Sequence, residues 1–364
     1  MSLIETQTNN EEQNGNSNSN GKALVSSTKE LKIKEPSFYG VLNKPNIEFV
    51  YFGNYKISPW YGNAAYFYPQ DLSHNLLGYE YANKVALDPL ARKRNKETDN
   101  QEINTNVIWL ENLFVCPFCF KYTANQHEGN QHQVLCKCNK YRPNIGKLVY
   151  YDSTSNYIIR EIRGFQHPLY CQNLCLFGKL FLDDKSIYYN IDHFNFYVIY
   201  GMESDKYIPM GFFSKEMLSY DVENNLACIC IFPPFQRKKL GTLLIEFSYE
   251  LAKFTPGQYR SSGPEFPLSP FGQISYLSYW SKKIANVIYK MKNKKSITVA
   301  EVMKYTGFRK EDVLLTLENM KILVQEDLDS SVLLSIKNFE NWCQLNNLDP
   351  SIEVKYLNEE CILI

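Results

Sequence analysis

The feature that most constrains the fold is a set of four soft metal ligands between residues 116 and 136. The chain reads C-P-F-C at Cys116–Cys119, then twelve residues to His132, then three more to Cys136. Two cysteines separated by two residues can grip one ion from a tight turn. A His and a Cys four apart share one helix face, so the four can close a tetrahedron around zinc. Metal bound this way supplies folding energy that a small lobe cannot draw from core packing. The Cys-Cys-His-Cys order departs from the commoner finger of two cysteines and two histidines. His127 and Cys138 are rivals for the last two places, and spacing favours His132 and Cys136. No second finger succeeds this one along the chain, so the knuckle serves a larger body.

Composition allows such a body. The 364 residues suffice for one large domain or two ordinary ones, and a hydrophobic share of 44% can fill a sizeable core. Lys plus Arg and Asp plus Glu both number 39, so net charge points to neither nucleic acid nor membrane. Ten cysteines without a signal-peptide pattern fit a reducing compartment. No apolar run approaches the roughly 18 residues of a membrane span. A soluble, intracellular chain is expected.

Residues 1–30 include N-N-E-E-Q-N-G-N-S-N-S-N-G, too polar to bury a core, and read as a disordered tail. Ile47 to Tyr68 is aromatic and alternates around Gly53, which predicts a hairpin. Residues 86–105 read as a polar, charged loop. Beyond the knuckle, strands are expected at Lys147–Tyr151, Ser186–Asn190, Phe196–Met202 and Ala227–Phe232. Leu174–Leu182 is apolar enough to be a buried helix or strand. Thr242–Lys253 carries apolar residues at helical spacing, and residues 274–292 look helical with a basic end. From Ser296 two helices joined at Gly307 form a helix-turn-helix-like pair. Such a pair can read DNA or serve as a packing unit.

Between Ala227 and Thr242 a buried strand ends at Pro233 and Pro234, a short basic loop succeeds it, and a helix begins. That junction aims backbone N–H groups and the positive end of the helix dipole at whatever sits above it. Arg237, Lys238 and Lys239 add charge that a pyrophosphate would accept. A solvated basic turn is the plain alternative.

A series of ordered motifs changes that balance. Y-C-Q-N-L-C-L stands at Tyr170–Leu176, K-L-F-L-D at Lys179–Asp183, Y-Y at Tyr188–Tyr189 and F-Y-V at Phe196–Val198. G-F-F-S-K-E comes next at Gly211–Glu216, A-C-I at Ala227–Ile229 and P-P-F-Q-R at Pro233–Arg237. Gly241–Leu251, P-E-F-P-L-S at Pro264–Ser269 and S-Y-W at Ser278–Trp280 complete the series. With the knuckle, these motifs resemble the MYST family of protein lysine acetyltransferases across residues 47–325, and most of all its fungal "something about silencing" branch.

The resemblance implies an α/β (α+β) fold in one MYST-type domain at 40–325. It would hold a zinc-knuckle N-terminal lobe (40–145), a GNAT-like acetyl-CoA-binding core sheet (146–280) and a helix-turn-helix-like C-terminal lobe (281–325). Residues 326–364 would be an extension in which no chemistry is legible. Acetyl-CoA and Zn2+ are the implied cofactors. Ile229, Cys230 and Ile231 would hold the acetyl and pantetheine portion through their backbone. Gln236, Arg237, Lys238, Lys239, Leu240, Gly241 and Thr242 would form the pyrophosphate loop, and Ser269 and Ser278 would touch the cofactor. The family usually has Gly where Lys239 stands. A Lys there would strain a left-handed turn by ~1–2 kcal/mol, and its ammonium could partly compensate by meeting a phosphate.

The resemblance also makes Glu265 the general base. A lysine amine with a pKa near ~10.4 must lose its proton before it can attack a thioester. A carboxylate held among Pro264, Phe266 and Pro267, in a partly apolar setting that raises its pKa, suits that task. Cys228 would lie near the acetyl group, either as a transient acyl acceptor or, on our reading, as a small residue lining the site. Lys179 matches a lysine that family members acetylate on themselves. It sits in a very apolar stretch where a charged amine is costly, unless it snorkels to solvent. The implied partners are a histone tail, histone H4 first, accessory subunits and a weak contact with nucleosomal DNA, in the nucleus and with no membrane. The competing class is a non-enzymatic chromatin-binding module whose core is disabled at Lys239. The retained Gln236, Glu265 and Ser269 argue against it.

Overall fold

The computed structural model describes residues 41–42, 44–68, 73–77, 108–182, 190–218, 223–254, 261–294, 297–326 and 331–364. The tail at 1–30, the charged segment at 86–105 and residues 186–189 of the strand expected at Ser186–Asn190 lie outside them.

The hairpin forms as read. β1 (Ile47–Phe52) turns through Gly53, at φ 58°, into β2 (Tyr55–Ile57). β3 (Leu110–Val115) lies parallel to β1, and β4 (Tyr122–Thr123) completes a sheet of order β2-β1-β3-β4. Helix α1 (Gln126–Leu135) comes next, with the Asn125 side chain accepting from the amides of His127 and Glu128. No residue of α1 is buried, and Val134 and Leu135 are 77% and 72% exposed. A ten-residue helix without a packed face is marginal by itself, so something besides core must hold it.

The central sheet is antiparallel. It comprises β5 (Lys147–Asp152), β6 (Tyr157–Arg163), β7 (Phe194–Glu203), β8 (Lys206–Glu216) and, after the short β9 (Asn224–Leu226), β10 (Cys228–Ile231). Their order is β10-β8-β7-β6-β5, which leaves β10 at one edge. The stretch left open between helix and strand is helical: α2 (Pro168–Lys179) starts at a proline and is buried from Tyr170 through Lys179. A helix that is apolar all round belongs in the interior. α3 (Leu240–Lys253) sends Leu240, Leu244 and Phe247 into this core and Ile245 and Tyr249 into a second one.

An aromatic knot joins the lobes. Phe52 of β1 stacks on Phe177 of α2 at 4.7 Å, and Phe177 meets Phe232, just past β10, edge-on at 4.9 Å. Phe120, beside the knuckle cysteines, tilts against Phe177 at 5.6 Å. Pairs in these arrangements add about 0.5–1.5 kcal/mol each beyond the area they bury. The knuckle lobe and the strand that leads into the basic loop therefore share one core.

The C-terminal part opens with β11 (Gly263–Pro264), which pairs in parallel with β9, and α4 (Pro270–Met291). β12 (Ile297–Thr298) then leads into the expected helix pair, α5 (Val299–Thr306) and α6 (Lys310–Asn319). A Thr298–Glu301 capping box starts α5, and Gly307, left-handed at φ 74°, stops it. β13 (Leu323–Glu326) and β14 (Ser331–Leu334) form a small sheet with β12, in the order β12-β14-β13, and α7 (Ile336–Leu345) comes after. Trp280, Ile284, Val302, Phe308, Val313, Leu317 and Phe339 make the second core. The final residues strap back over the body. Buried Glu246 of α3 accepts the amides of Tyr356 and Leu357 at 2.6 and 2.9 Å and pairs with Lys283 at 2.6 Å. Leu363 N donates to Val149 O of β5 at 2.9 Å. Among the described residues no helix is long and apolar enough to cross a membrane.

Candidate acyl-transfer site and metal centre

The metal centre assembles from the turn after β3 and the end of α1. Ligand atoms of Cys116, Cys119, His132 and Cys136 lie within 4.8 Å of one another, and Cys119 Sγ is 3.2 Å from His132 Nε2. Zinc–sulfur bonds of ~2.3 Å put tetrahedral ligands about 3.7 Å apart, so this set fits a zinc ion. The rivals stand aside: His127 is exposed in the first turn of α1, and Cys138 lies beyond the foursome. Crowding distorts the acidity of these thiols. Hydrogen bonding with Cys116 and then Cys136 pushes the Cys119 thiol far up, while bonds from Cys116, Cys119 and Cys138 pull Cys136 down. A cavity of about 490 Å³ opens alongside, lined by Tyr51, Phe114, Lys121, Glu128 and His132. It is lined by residues of neither the basic loop nor the Glu265 segment.

The other site gathers around β10. Up to Leu226 the chain pairs with β11; from Cys228 it pairs with β8, through Ser214↔Cys228 to Gly211↔Ile231. β10 is the terminal strand of its sheet, so the backbone of Ile229, Cys230 and Ile231 runs along the sheet's edge. At the far end, Phe232 and the 3-10 turn Pro233–Phe235 lead into the basic loop. Gln236 Nε2 donates to Ile231 O at 2.9 Å, pinning the loop to the strand. Arg237 and Lys239 are both left-handed, at φ 62° and 64°. Left-handed residues in a tight turn bring successive N–H groups to one side and shape an anion-holding concavity. Lys239 is the residue before α3 and gives it no side-chain cap. The opening amides of α3, at Leu240, Gly241 and Thr242, therefore keep the free donors of a helix start. An added Cβ at Gly241 would meet only Ile231 Cγ1, in ordinary contact at 3.6 Å. The strained turn expected at Lys239 is present.

Glu265 lies at the near end of β10. Its amide donates to Leu226 O at 2.8 Å, two residues before Cys228. The half-apolar enclosure expected for it is absent in the chain alone: Pro264 is buried, but Glu265, Phe266 and Pro267 are exposed. Cys228 is half-buried. Ser269 caps α4, its hydroxyl accepting from Gly272 N at 3.2 Å, and Ser278 is exposed farther along that helix. Phe271 on the first turn of α4 reaches Trp60 of the N-terminal lobe at 6.2 Å. Lys179 is not snorkelling: it is 1% exposed at the end of α2.

Pattern reading missed Arg309. It is buried at the turn of the helix pair and bonds to Pro264, the neighbour of Glu265. The available signal was an Arg and an Asp three apart inside a run that otherwise buries apolar residues.

The MOZ/SAS family model matches residues 143–360, a span that reaches from β5 into the terminal strap. The chain is 39% identical over 325 residues to histone acetyltransferase SAS2 of Saccharomyces cerevisiae, covering 88% of this chain and 86% of that one. It is 31% identical over 311 residues to histone acetyltransferase mst2 of Schizosaccharomyces pombe, covering 85% and 63%. With histone acetyltransferase MOF of Drosophila melanogaster it shares 37% over 234 residues, which is 64% of this chain and 27% of that one. An edge strand ending in an amide-lined turn, and a cysteine–histidine set that fits zinc, are thus carried by a chain that belongs to the MOZ/SAS family of acetyltransferases, with acetyl-CoA as co-substrate.

Proposed function

We propose that this chain acetylates a lysine of a histone tail, that of histone H4 first, inside a nuclear assembly with accessory subunits. The names of its relatives support the substrate class. Glu265 takes the proton from the substrate ammonium. The freed amine attacks the thioester carbonyl directly, the C–N bond forms, the C–S bond breaks, and CoA leaves and takes up a proton as its thiol. Backbone amides beside Cys228 stabilise the oxyanion that develops, and Cys228 lines the site without carrying the acetyl group. Ile229–Ile231 receive the pantetheine arm at the edge of the sheet, as an added strand would be received. Gln236–Thr242 hold the pyrophosphate, and Ser269 and Ser278 meet the cofactor from α4. Lys179, buried at the end of α2, carries an acetyl group, which lowers the cost of burying its amine.

One observation carries this reading. The bond from Glu265 N to Leu226 O sets the carboxylate-bearing residue at the start of the strand whose other end becomes the left-handed, amide-lined turn. Acetylation of histone-tail peptides by the full chain, with Glu265→Gln alongside, tests it. A fall in kcat of about 10²–10⁴-fold, with acetyl-CoA still bound, is expected. Undiminished turnover in Glu265→Gln would remove the base. An acetyl-Cys228 adduct that forms and decays at the turnover rate would replace direct attack.

A further inference from the structure

We infer that Arg309 is a positioning residue for acyl transfer, fixing from the turn of the helix pair the residues on both sides of Glu265, Pro264 through its carbonyl and Phe266 through its ring. The inference rests on the reading of Glu265 as the base.

Arg309 immediately precedes α6 and is 8% exposed, yet its side chain does not cap that helix. It points back across the turn. Nε donates to Asp312 Oδ2 at 3.1 Å, one terminal nitrogen to Asn224 Oδ1 at 3.1 Å, and the other to Pro264 O at 2.5 Å. The guanidinium carbon lies 5.2 Å from the ring centroid of Phe266. Pro264 and Phe266 are the two neighbours of Glu265. Asn224 is on β9, the strand that accepts the Glu265 amide at Leu226 and then runs into Cys228. One planar group therefore ties together both strands that meet at the proposed base.

Two more contacts share the work. Ser262 N donates to Gly307 O, the left-handed turn residue, at 2.9 Å. A Cβ on Gly263 would come 2.3 Å from Asp312 Oδ2 and 2.5 Å from Arg309 Nε, so only glycine lets β11 approach the pair so closely. The same contacts consume the opening turn of α6, where a DNA-reading pair would present its base contacts. In this chain Arg309 and Asp312 are buried against the Glu265 segment instead.

Stability alone does not account for the pair. Burying two charges costs about as much as their attraction returns, and apolar residues of equal volume do as well or better. The pair is not fully satisfied either, since Asp312 Oδ1 is buried without a hydrogen-bond partner. What an apolar pair could not do is hold three acceptors in one rigid plane. β11 is only two residues long, and Glu265 beyond it is exposed. A base on so short a support needs an external brace, because a misplacement of about 1 Å can cost about a hundredfold in rate.

The test replaces the pair without leaving a lone charge, as Arg309→Met with Asp312→Leu in the full chain. It is assayed on histone-tail peptides in whichever assembly turns over. We expect kcat per folded site to fall by about tenfold to a hundredfold, with acetyl-CoA affinity within about twofold of wild type and a thermal midpoint close to it. A purely packing role would move the midpoint and leave kcat alone. An unchanged kcat, or a parallel loss of acetyl-CoA binding, overturns the inference. Should the double variant not fold, Arg309→Lys decides. It keeps the charge beside Asp312 but cannot reach three acceptors at once, so a lowered kcat supports the brace and a wild-type kcat overturns it. Glu265→Gln separates the two layers. If it is fully active, the base reading fails and takes this inference with it. If it is inactive while the Arg309 variants turn over normally, only the brace fails.

Discussion

The knuckle helix α1 and the helix pair α5–α6 are of similar size, ten residues against eight and ten, yet they are held by opposite means. Helices this short are marginal in water without outside support. α1 buries none of its residues and is fastened at its end by His132 and the adjoining Cys136. α5 and α6 sink Val299, Val302, Val313 and Leu317 into a core built around Trp280 and Phe308. In one region ligand chemistry does what apolar area does in the other. The difference teaches that a short helix can be fixed by what lies beyond its end as firmly as by what lies under it.

Removing the metal is the strongest way to break this comparison. Structural zinc contributes roughly 10 kcal/mol or more to a site of this kind. A strong chelator, or Cys119→Ser, is expected to abolish hydrogen-exchange protection around residues 116–138 while amides of α5 and α6 keep theirs. If both regions lost protection together, the aromatic knot of Phe52, Phe120, Phe177 and Phe232 would be transmitting the loss, and the two regions would be one cooperative unit. The converse experiment is Trp280→Ala. It should cost about 3–5 kcal/mol in urea unfolding and leave bound zinc unchanged.

Acid should move the two regions in opposite directions. Metal affinity weakens as pH falls, because protons compete with zinc for its ligands. Burial, only partly offset by Arg309, pushes the Asp312 carboxyl up to about 6. The folded state then binds that proton more tightly than the unfolded chain does. The contribution of Asp312 is therefore full below its ordinary value, near ~3.9, and is lost as pH rises through about 6. Between pH 7 and 5, acidification should loosen the knuckle and relieve α6. Hydrogen exchange across that range, with Asp312→Asn lacking the relief, would show it. Parallel pH responses of the two regions would contradict the assignment.

The smallest effect belongs to a turn supported neither by metal nor by core. Lys239 at φ 64° should carry up to ~1–2 kcal/mol of strain. Lys239→Gly releases that strain but also removes one charge from the basic loop proposed to hold the pyrophosphate. Calorimetry should find a modest change in acetyl-CoA affinity, and no change in either direction would refute both effects.

How much of this was legible in the sequence depends on the range of the interactions. The zinc ligands were readable because covalent spacing alone brings Cys116 to Cys119, and helical spacing His132 to Cys136. The pair α5–α6 was readable from apolar periodicity and Gly307. Lys239 stood out only through the resemblance, because the family usually carries glycine there. Leu174–Leu182 stayed ambiguous because a segment buried on every side shows no period. Glu265 was placed by resemblance, but not its exposure, which depends on what covers Phe266 and Pro267. The brace from Arg309 to Pro264 was hidden because no local pattern records a partner so distant in the chain. The wing strands β13 and β14 are too short to announce themselves, and the closing strap uses main-chain amides that any residues could supply.

That strap bears on how fragments of this chain should be interpreted. Loss of residues 356–364 would take from Glu246 the two amides that hydrogen-bond it opposite Lys283. Glu246 sits on the same helix whose first turn faces the proposed phosphate site. A clip within this strap would then register as weakened nucleotide handling some distance away, and a reporter inserted there would weigh on the enzyme it was meant only to label.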